Sequence, residues 1–171
     1  LREAVKIFGE GSITTHLIVG LGETGEEMVE MIQWCVDLGV YPSLFAFTPI
    51  PGTLLENSLQ PSLSHYRRVQ IAHYLITRGK TRCQNMTFDD DGCLVDFGVS
   101  EEQLREVIES GDPFITSGCP GCNRPYYNEK PSGPIYNYPR QPLPEEIAEI
   151  DRQIRILCPR ALNCVRFNFH L

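Results

Sequence analysis

The segment from Ile13 to Thr24 constrains the fold more than any other part of the chain. It reads Ile-Thr-Thr-His-Leu-Ile-Val-Gly-Leu-Gly-Glu-Thr, an apolar and β-branched stretch that ends at two glycines. Thr24 offers a hydroxyl for a helix N-cap, and Glu27 stands three residues later, as a capping box requires. A strand, a turn and a capped helix in this order are typical of α/β proteins, which bind ligands at the carboxyl ends of strands. We therefore predict a ligand site at the Gly20–Thr24 turn.

The same alternation of strand and helix continues to about residue 80. Helical spacing of apolar residues predicts helices from Glu26 to Leu38 and from Leu63 to Arg78. Between them, the mostly apolar run from Pro42 to Thr48 predicts a parallel strand covered on both faces. The fold class is therefore α/β, and we expect the apolar faces of Ile13–Val19 and Leu44–Phe47 to form its inner wall.

Beyond residue 80 the pattern changes, and we place a domain boundary there, between residues 1–80 and 81–171. Asp-Gly in the run Asp89–Gly92 predicts a β-hairpin between Cys83–Phe88 and Cys93–Gly98. Ser100 can cap a short helix that follows. A loop rich in Gly, Pro and Tyr then leads to a final helix that begins at Pro144.

The turn after the first strand also matches a known nucleotide-binding pattern. Gly20-Leu21-Gly22-Glu23-Thr24-Gly25 fits the dinucleotide-binding fingerprint G-x-G-x-x-G between a strand and a helix. Glu23, however, would place a carboxylate where the pyrophosphate rests, and the strand Pro42–Thr48 ends without an acidic residue for the ribose. A nucleotide-binding α/β domain and a plain connector without a ligand are both alternatives for this turn.

Cys119 and Cys122 form a Cys-x-x-Cys pair in a turn rich in Gly and Pro. Such a turn directs both thiols to one side, so they can bind an iron–sulfur cluster or a zinc ion, although a plain turn is a third interpretation. A redox pair would normally begin a helix, which Pro125 disfavours. A complete site needs more ligands, and the candidates are Cys83, Cys93, Ser117, Cys158, Cys164 or a partner chain.

Composition limits the class of partner and compartment. The chain has 171 residues, of which 42% are apolar and 22% charged, and its net charge of −7 argues against nucleic acid as a partner. It contains no run of about 18 apolar residues, so we expect no membrane span. Seven cysteines without a regular framework are typical of a reducing compartment, so we predict a cytoplasmic protein.

Two strand regions resemble the radical S-adenosylmethionine enzymes. Ile18, Gly20 and Glu23 match the pattern G-x-I-x-G-x-x-E of the fifth barrel strand in biotin and lipoyl synthases, with His16 in place of the first glycine. Phe45–Thr53 resembles the sixth strand, whose main chain lines the adenine of S-adenosylmethionine. The resemblance implies that this cofactor is bound by the first three residues together with Ala46, Phe47 and Thr48.

The segments Ser117–Glu129 and Gly133–Pro139 further resemble the biotin synthase-related proteins that include the archaeal-type, two-protein lipoyl synthases. This resemblance implies the carboxyl portion of a TIM-type radical S-adenosylmethionine barrel, followed by a hairpin, a short helix and a cysteine-containing extension. Cys119 and Cys122 would hold an auxiliary iron–sulfur cluster that donates sulfur to an alkyl chain. An acylated carrier protein or a homologous partner subunit is the implied partner.

The C-x-x-x-C-x-x-C motif that holds the catalytic 4Fe–4S cluster of this superfamily does not occur in the sequence. We therefore expect the chain to be the carboxyl part of a longer enzyme and not to cleave S-adenosylmethionine alone. The alternative is a non-catalytic accessory module in which Cys119 and Cys122 bind zinc or a cluster.

Overall fold

The computed structural model describes residues 1–116 and 133–156. Nine helices and strands are described in this part of the chain. In chain order they are α1 (Arg2–Phe8), β1 (Ile13–Val19), α2 (Gly25–Asp37), β2 (Val40–Ala46), α3 (Leu63–Thr77), β3 (Thr87–Phe88), β4 (Leu94–Asp96), α4 (Glu101–Ser110) and α5 (Pro144–Arg155). Short 3-10 turns cover Cys83–Asn85 and Asp112–Phe114. The described part is thus a mixed α/β fold, as predicted.

Strands β1 and β2 form a parallel pair, with Ile13 opposite Val40 and Val19 opposite Ala46. The predicted bounds of β1 are confirmed, but β2 begins two residues before the predicted start at Pro42. Proline lacks the N–H of a ladder bond, which made it look like the start of a strand. Its carbonyl instead accepts a hydrogen bond from His73 Nε2 at 2.6 Å, so the main chain is satisfied there.

The apolar side chains of β1 and β2 do not form the expected inner wall, because they face the helices instead. Side chains alternate between faces along a strand. Leu17, Val19, Leu44 and Ala46 belong to or pack against the core cluster that α2 and α3 share, so the apolar face is turned to the helices. The opposite face carries mostly exposed or half-buried side chains, namely Thr14, His16, Ile18, Tyr41 and Phe45. Neither sheet in the described residues is closed into a barrel.

Helix α3 lies at the centre of the fold because α2 and α5 both pack against it. The hydrophobic cluster around it contains residues of β1 and α2 as well as Phe114, Tyr136 and Ile150. The regions on either side of residue 80 therefore share one core.

The predicted hairpin is present but shorter, because Cys83–Asn85 forms a 3-10 turn and β3 starts only at Thr87. Its tip is held by Asp89, whose Oδ1 accepts a hydrogen bond from the N–H of Cys93 at 2.8 Å. The capping box predicted at Thr24 and the N-cap predicted at Ser100 are both confirmed, and Gln103 completes a capping box with Ser100. None of the helices in the described ranges is long and apolar enough to span a membrane.

Candidate functional site

The turn after β1 is organised by the carboxylate of Glu23. Its Oε1 accepts a hydrogen bond from the N–H of Gly20 at 2.6 Å, and its Oε2 accepts one from the N–H of Leu21 at 2.8 Å. Gly20 has a φ of 103°, and a Cβ atom there would lie 2.7 Å from Cδ of Pro61. The turn therefore needs glycine both for its backbone angle and for the approach of Pro61.

Glu23 stabilises the turn directly, because both of its carboxylate oxygens accept hydrogen bonds from main-chain N–H groups. Burial raises the pKa of Glu23 above its ordinary value, while the nearby N–H groups, Gly20 first, act in the opposite direction. The sequence predicts Glu23 as a cofactor-binding residue. In this arrangement it shapes the loop that would contact a ligand.

The amino end of α2 is also satisfied by protein groups. The N–H of Glu27 donates to Thr24 Oγ1 at 3.1 Å, and the N–H of Glu26 donates to the carbonyl of Gly92 at 3.0 Å. A dinucleotide pyrophosphate needs free N–H groups at such a helix end. The geometry therefore disfavours the dinucleotide interpretation of Gly20–Gly25.

The end of β2 lies beside the end of β1. The N–H of Phe47 donates to the carbonyl of Val19 at 2.8 Å, and the side chain of Ala46 is buried. Gln60 Nε2 donates to the carbonyl of Phe47 at 3.3 Å and to Thr48 Oγ1 at 3.2 Å. Of these main-chain groups, the Phe47 carbonyl retains capacity for a second hydrogen bond, since a carbonyl oxygen has two lone pairs.

Ile18 lies on the sheet face turned away from the helices and is 45% exposed. It is opposite Phe45 in the register, and the ring of Phe45 contacts that of His16 edge to face, with centroids 4.7 Å apart. Ile18 and Gly20 thus lie together at the carboxyl end of β1. The surface beside the turn combines an apolar side chain with aromatic rings.

The cysteines predicted to bind a metal, Cys119 and Cys122, lie outside the described residues, as do Ser117, Cys158 and Cys164. Within the described ranges, no three His, Cys, Asp or Glu side chains are grouped to hold a metal ion. Cys93 is buried and disulfide-bonded. Burial, and then the charges of Glu30 and Glu26, raise the pKa of the Cys83 thiol, which disfavours the thiolate that a metal needs.

The described residues on either side of the cysteine segment are held together. The N–H of Thr116 donates to the carbonyl of Tyr138 at 2.9 Å, and the N–H of Tyr138 donates to the carbonyl of Phe114 at 2.8 Å. The positions before and after residues 117–132 are therefore close in space.

Comparisons with protein-family models, curated proteins and solved structures give no match. Function has to be inferred from the residues of the site.

Sequence reasoning missed Arg67, which is fully buried in α3. Its guanidinium donates to the carbonyls of Ile135 and Tyr136 and to Gln70 Oε1, and it lies 5.6 Å from the ring centroid of Phe114. An arginine three residues before a glutamine on α3 was the available signal, but such residues usually face solvent.

Gln60 was missed as well. It belongs to the irregular segment before α3, where no periodic pattern reveals a contact with β2. Its position directly before a proline that packs on Gly20 becomes meaningful only in three dimensions.

Proposed function

We propose that this chain is the carboxyl-terminal part of a radical S-adenosylmethionine enzyme that inserts sulfur into an unactivated alkyl chain. In this proposal the adenosine part of the cofactor contacts Ile18, the Gly20 turn and the main chain of Ala46, Phe47 and Thr48. The main observation behind the proposal is that Glu23 closes the turn. Its carboxylate oxygens accept hydrogen bonds from the N–H groups of Gly20 and Leu21. A turn closed in this way no longer offers those two N–H groups to a phosphate.

The surface beside the turn suits a flat heteroaromatic ring better than a charged ligand. Ile18 is 45% exposed there, so it can contact the face of an adenine. The Phe47 carbonyl, which already accepts from Gln60, has a second lone pair for an exocyclic amine. These features support adenosine binding without a charged side chain.

When bound, S-adenosylmethionine and a reduced 4Fe–4S cluster supply a radical that removes hydrogen from an unactivated carbon. The sequence contains no C-x-x-x-C-x-x-C motif, so the proposal places the thiolates of that cluster on another segment or chain. Cys119 and Cys122 are proposed as ligands of an auxiliary cluster that provides sulfur. The proposed partners are an acylated carrier protein or a homologous subunit, and the proposed compartment is the cytoplasm. The disulfide bond of Cys93 argues against this compartment, because disulfides are rare in the reducing cytoplasm.

Equilibrium dialysis of the anaerobically reconstituted full-length protein with S-adenosylmethionine tests the adenosine site. The variant Ile18→Lys should weaken binding at least tenfold, because it puts a charged chain where the ring would lie. Val95→Lys is a matched control, since Val95 is also an exposed strand residue, in the hairpin. Equal affinity in the two variants, or no binding by the wild-type protein, would overturn the adenosine assignment.

Iron and sulfide counts after anaerobic reconstitution test the auxiliary cluster. Cys119→Ala and Cys122→Ala should each lower the iron content of the full-length protein by about one cluster, whereas Cys83→Ala should not. Unchanged iron content in both variants would remove the cluster assignment. Stoichiometric zinc together with no affinity for S-adenosylmethionine would favour the accessory module instead.

A further inference from the structure

The hydroxyl of Tyr136 donates a hydrogen bond to the carbonyl of Pro61 at 2.7 Å. Tyr136 is 3% exposed and belongs to the segment that follows the cysteine-containing region. Pro61 belongs to the loop that leads from β2 into α3. This bond therefore joins the carboxyl-terminal half of the chain to the half that contains the candidate site.

Gln60 and Pro61 contact both strand ends of that site, and we call this pair the brace. The ring of Pro61 packs on Gly20, where a Cβ atom would lie 2.7 Å from Cδ. The Gln60 carboxamide donates to the carbonyl of Phe47 and to Thr48 Oγ1. The brace thus touches the turn after β1 and the main chain after β2 at once.

Tyr136 is itself fixed on α3. Arg67 and Gln70 both donate to its carbonyl oxygen. Its ring meets the ring of Tyr66 edge to face, with centroids 5.1 Å apart. Because α3 holds the residue at its ring and at its main chain, the hydroxyl has little freedom to leave Pro61.

We propose that Tyr136 is a positioning residue for the ligand site. Its hydroxyl holds the brace, and the brace sets the relative position of the Gly20 turn and the Phe47 carbonyl. The identity of the ligand rests on the proposed function, but the positioning role rests on the contacts among Tyr136, Pro61 and Gln60. The segment that follows the cysteines would in this way control how well the strand ends fit a ligand.

The variant Tyr136→Phe tests this role, because it deletes the hydroxyl and keeps the ring on Tyr66. Tyr138→Phe is the matched control: Tyr138 is buried in the same segment, and within the described residues its hydroxyl has no hydrogen bond to the brace. Amide hydrogen exchange is measured in the full-length protein at Gly20, Leu21 and Phe47. Val107 and Ile108, buried in α4, serve as reference amides.

Exchange at the three site amides should rise about fivefold or more in Tyr136→Phe, as expected for the loss of one buried hydrogen bond, and stay unchanged at the reference amides. Affinity for S-adenosylmethionine should fall by a similar factor in this variant and not in Tyr138→Phe. Equal exchange in the two variants, or a rise that includes the reference amides, would overturn the positioning role. Faster exchange in a protein that does not bind S-adenosylmethionine would refute the proposed function and leave the positioning role standing.

Discussion

The carboxylate of Glu23 accepts a hydrogen bond at 2.6 Å from the main-chain N–H of Gly20, three positions earlier in the chain. The same carboxylate accepts the N–H of Leu21, so one side chain closes the loop at the end of β1. We expect Glu23→Ala to lower the free energy of unfolding by about 1 kcal/mol, since water replaces part of the lost bonding in this half-exposed turn.

Exchange of the Gly20 and Leu21 amides should rise more in Glu23→Ala than the change in global stability explains. Urea denaturation and amide exchange measure the two effects separately. Glu30→Ala is the control, because Glu30 is an exposed glutamate on α2 that does not bond to the turn. If both variants leave the two amides equally protected, Glu23 does not organise the loop.

The helix that follows the turn depends on Thr24. Its Oγ1 accepts the N–H of Glu27 at 3.1 Å, and Glu27 Oε2 accepts the N–H of Thr24 at 2.8 Å. Thr24→Ala should reduce stability by about 1 kcal/mol, as for other N-cap residues, whereas Thr24→Ser should keep most of it. Chemical denaturation of the two variants measures the difference, and identical midpoints would show that the cap does not contribute.

The stability of the fold should fall as the pH drops from about 6.5 towards 4, because of His73. Burial lowers the pKa of His73 from 6.5 to about 4, and its hydrogen bond to the Pro42 carbonyl opposes this shift. The unfolded chain therefore binds a proton in this range that the folded chain does not bind. The contribution of neutral His73 to the free energy of unfolding is fully present above pH 6.5. About 3 kcal/mol of this contribution should be lost by pH 4.

The measurement is the free energy of unfolding between pH 7.5 and 4 for the wild-type protein and for His73→Gln. Carboxylates also titrate at the low end of this range, so the informative quantity is the difference between the two proteins. That difference should shift in favour of the variant as the pH falls. Parallel pH curves would mean that His73 is not buried in its neutral form.

Arg67 should be the most sensitive polar position of the fold. It is fully buried, and its removal takes the guanidinium donor away from the carbonyls of Ile135 and Tyr136, of which the second keeps its hydrogen bond from Gln70. Arg67→Met should cost about 3 kcal/mol or more in urea denaturation, and Arg67→Lys should not restore the loss, because an ammonium cannot reach both carbonyls as the planar fork does. Arg152→Met should be nearly neutral, since the side chain of Arg152 is 71% exposed. A small effect of Arg67→Met on the free energy of unfolding would mean that the guanidinium is exposed to solvent.

The local part of this fold could be predicted from the sequence. Thr24 and Glu27 fixed the start of α2, because a capping box is encoded within four residues. The start of β2 could not be placed in the same way. Its pairing partner Ile13 is distant in sequence, and Pro42 reads locally as a strand boundary although the pairing passes through it.

The buried polar contacts of Arg67 and Gln60 could not be predicted from the residues near them in the sequence. Arg67 lies on a helix whose outer face is covered by a segment nearly seventy residues later, so its burial depends on tertiary packing. Gln60 similarly acquires its role from the carbonyl of Phe47, thirteen residues earlier. The sequence predicts the turn at Gly20, whereas the contacts that hold the turn in place come from the fold.

The most direct test of the proposed function is the formation of 5′-deoxyadenosine from S-adenosylmethionine by the anaerobically reduced, iron-loaded full-length protein. We expect product from the wild-type protein and at least tenfold less from Glu23→Ala at equal iron content, because the turn that would contact the adenosine is then loose. An iron-loaded wild-type protein that forms no 5′-deoxyadenosine would contradict the assignment to radical S-adenosylmethionine chemistry.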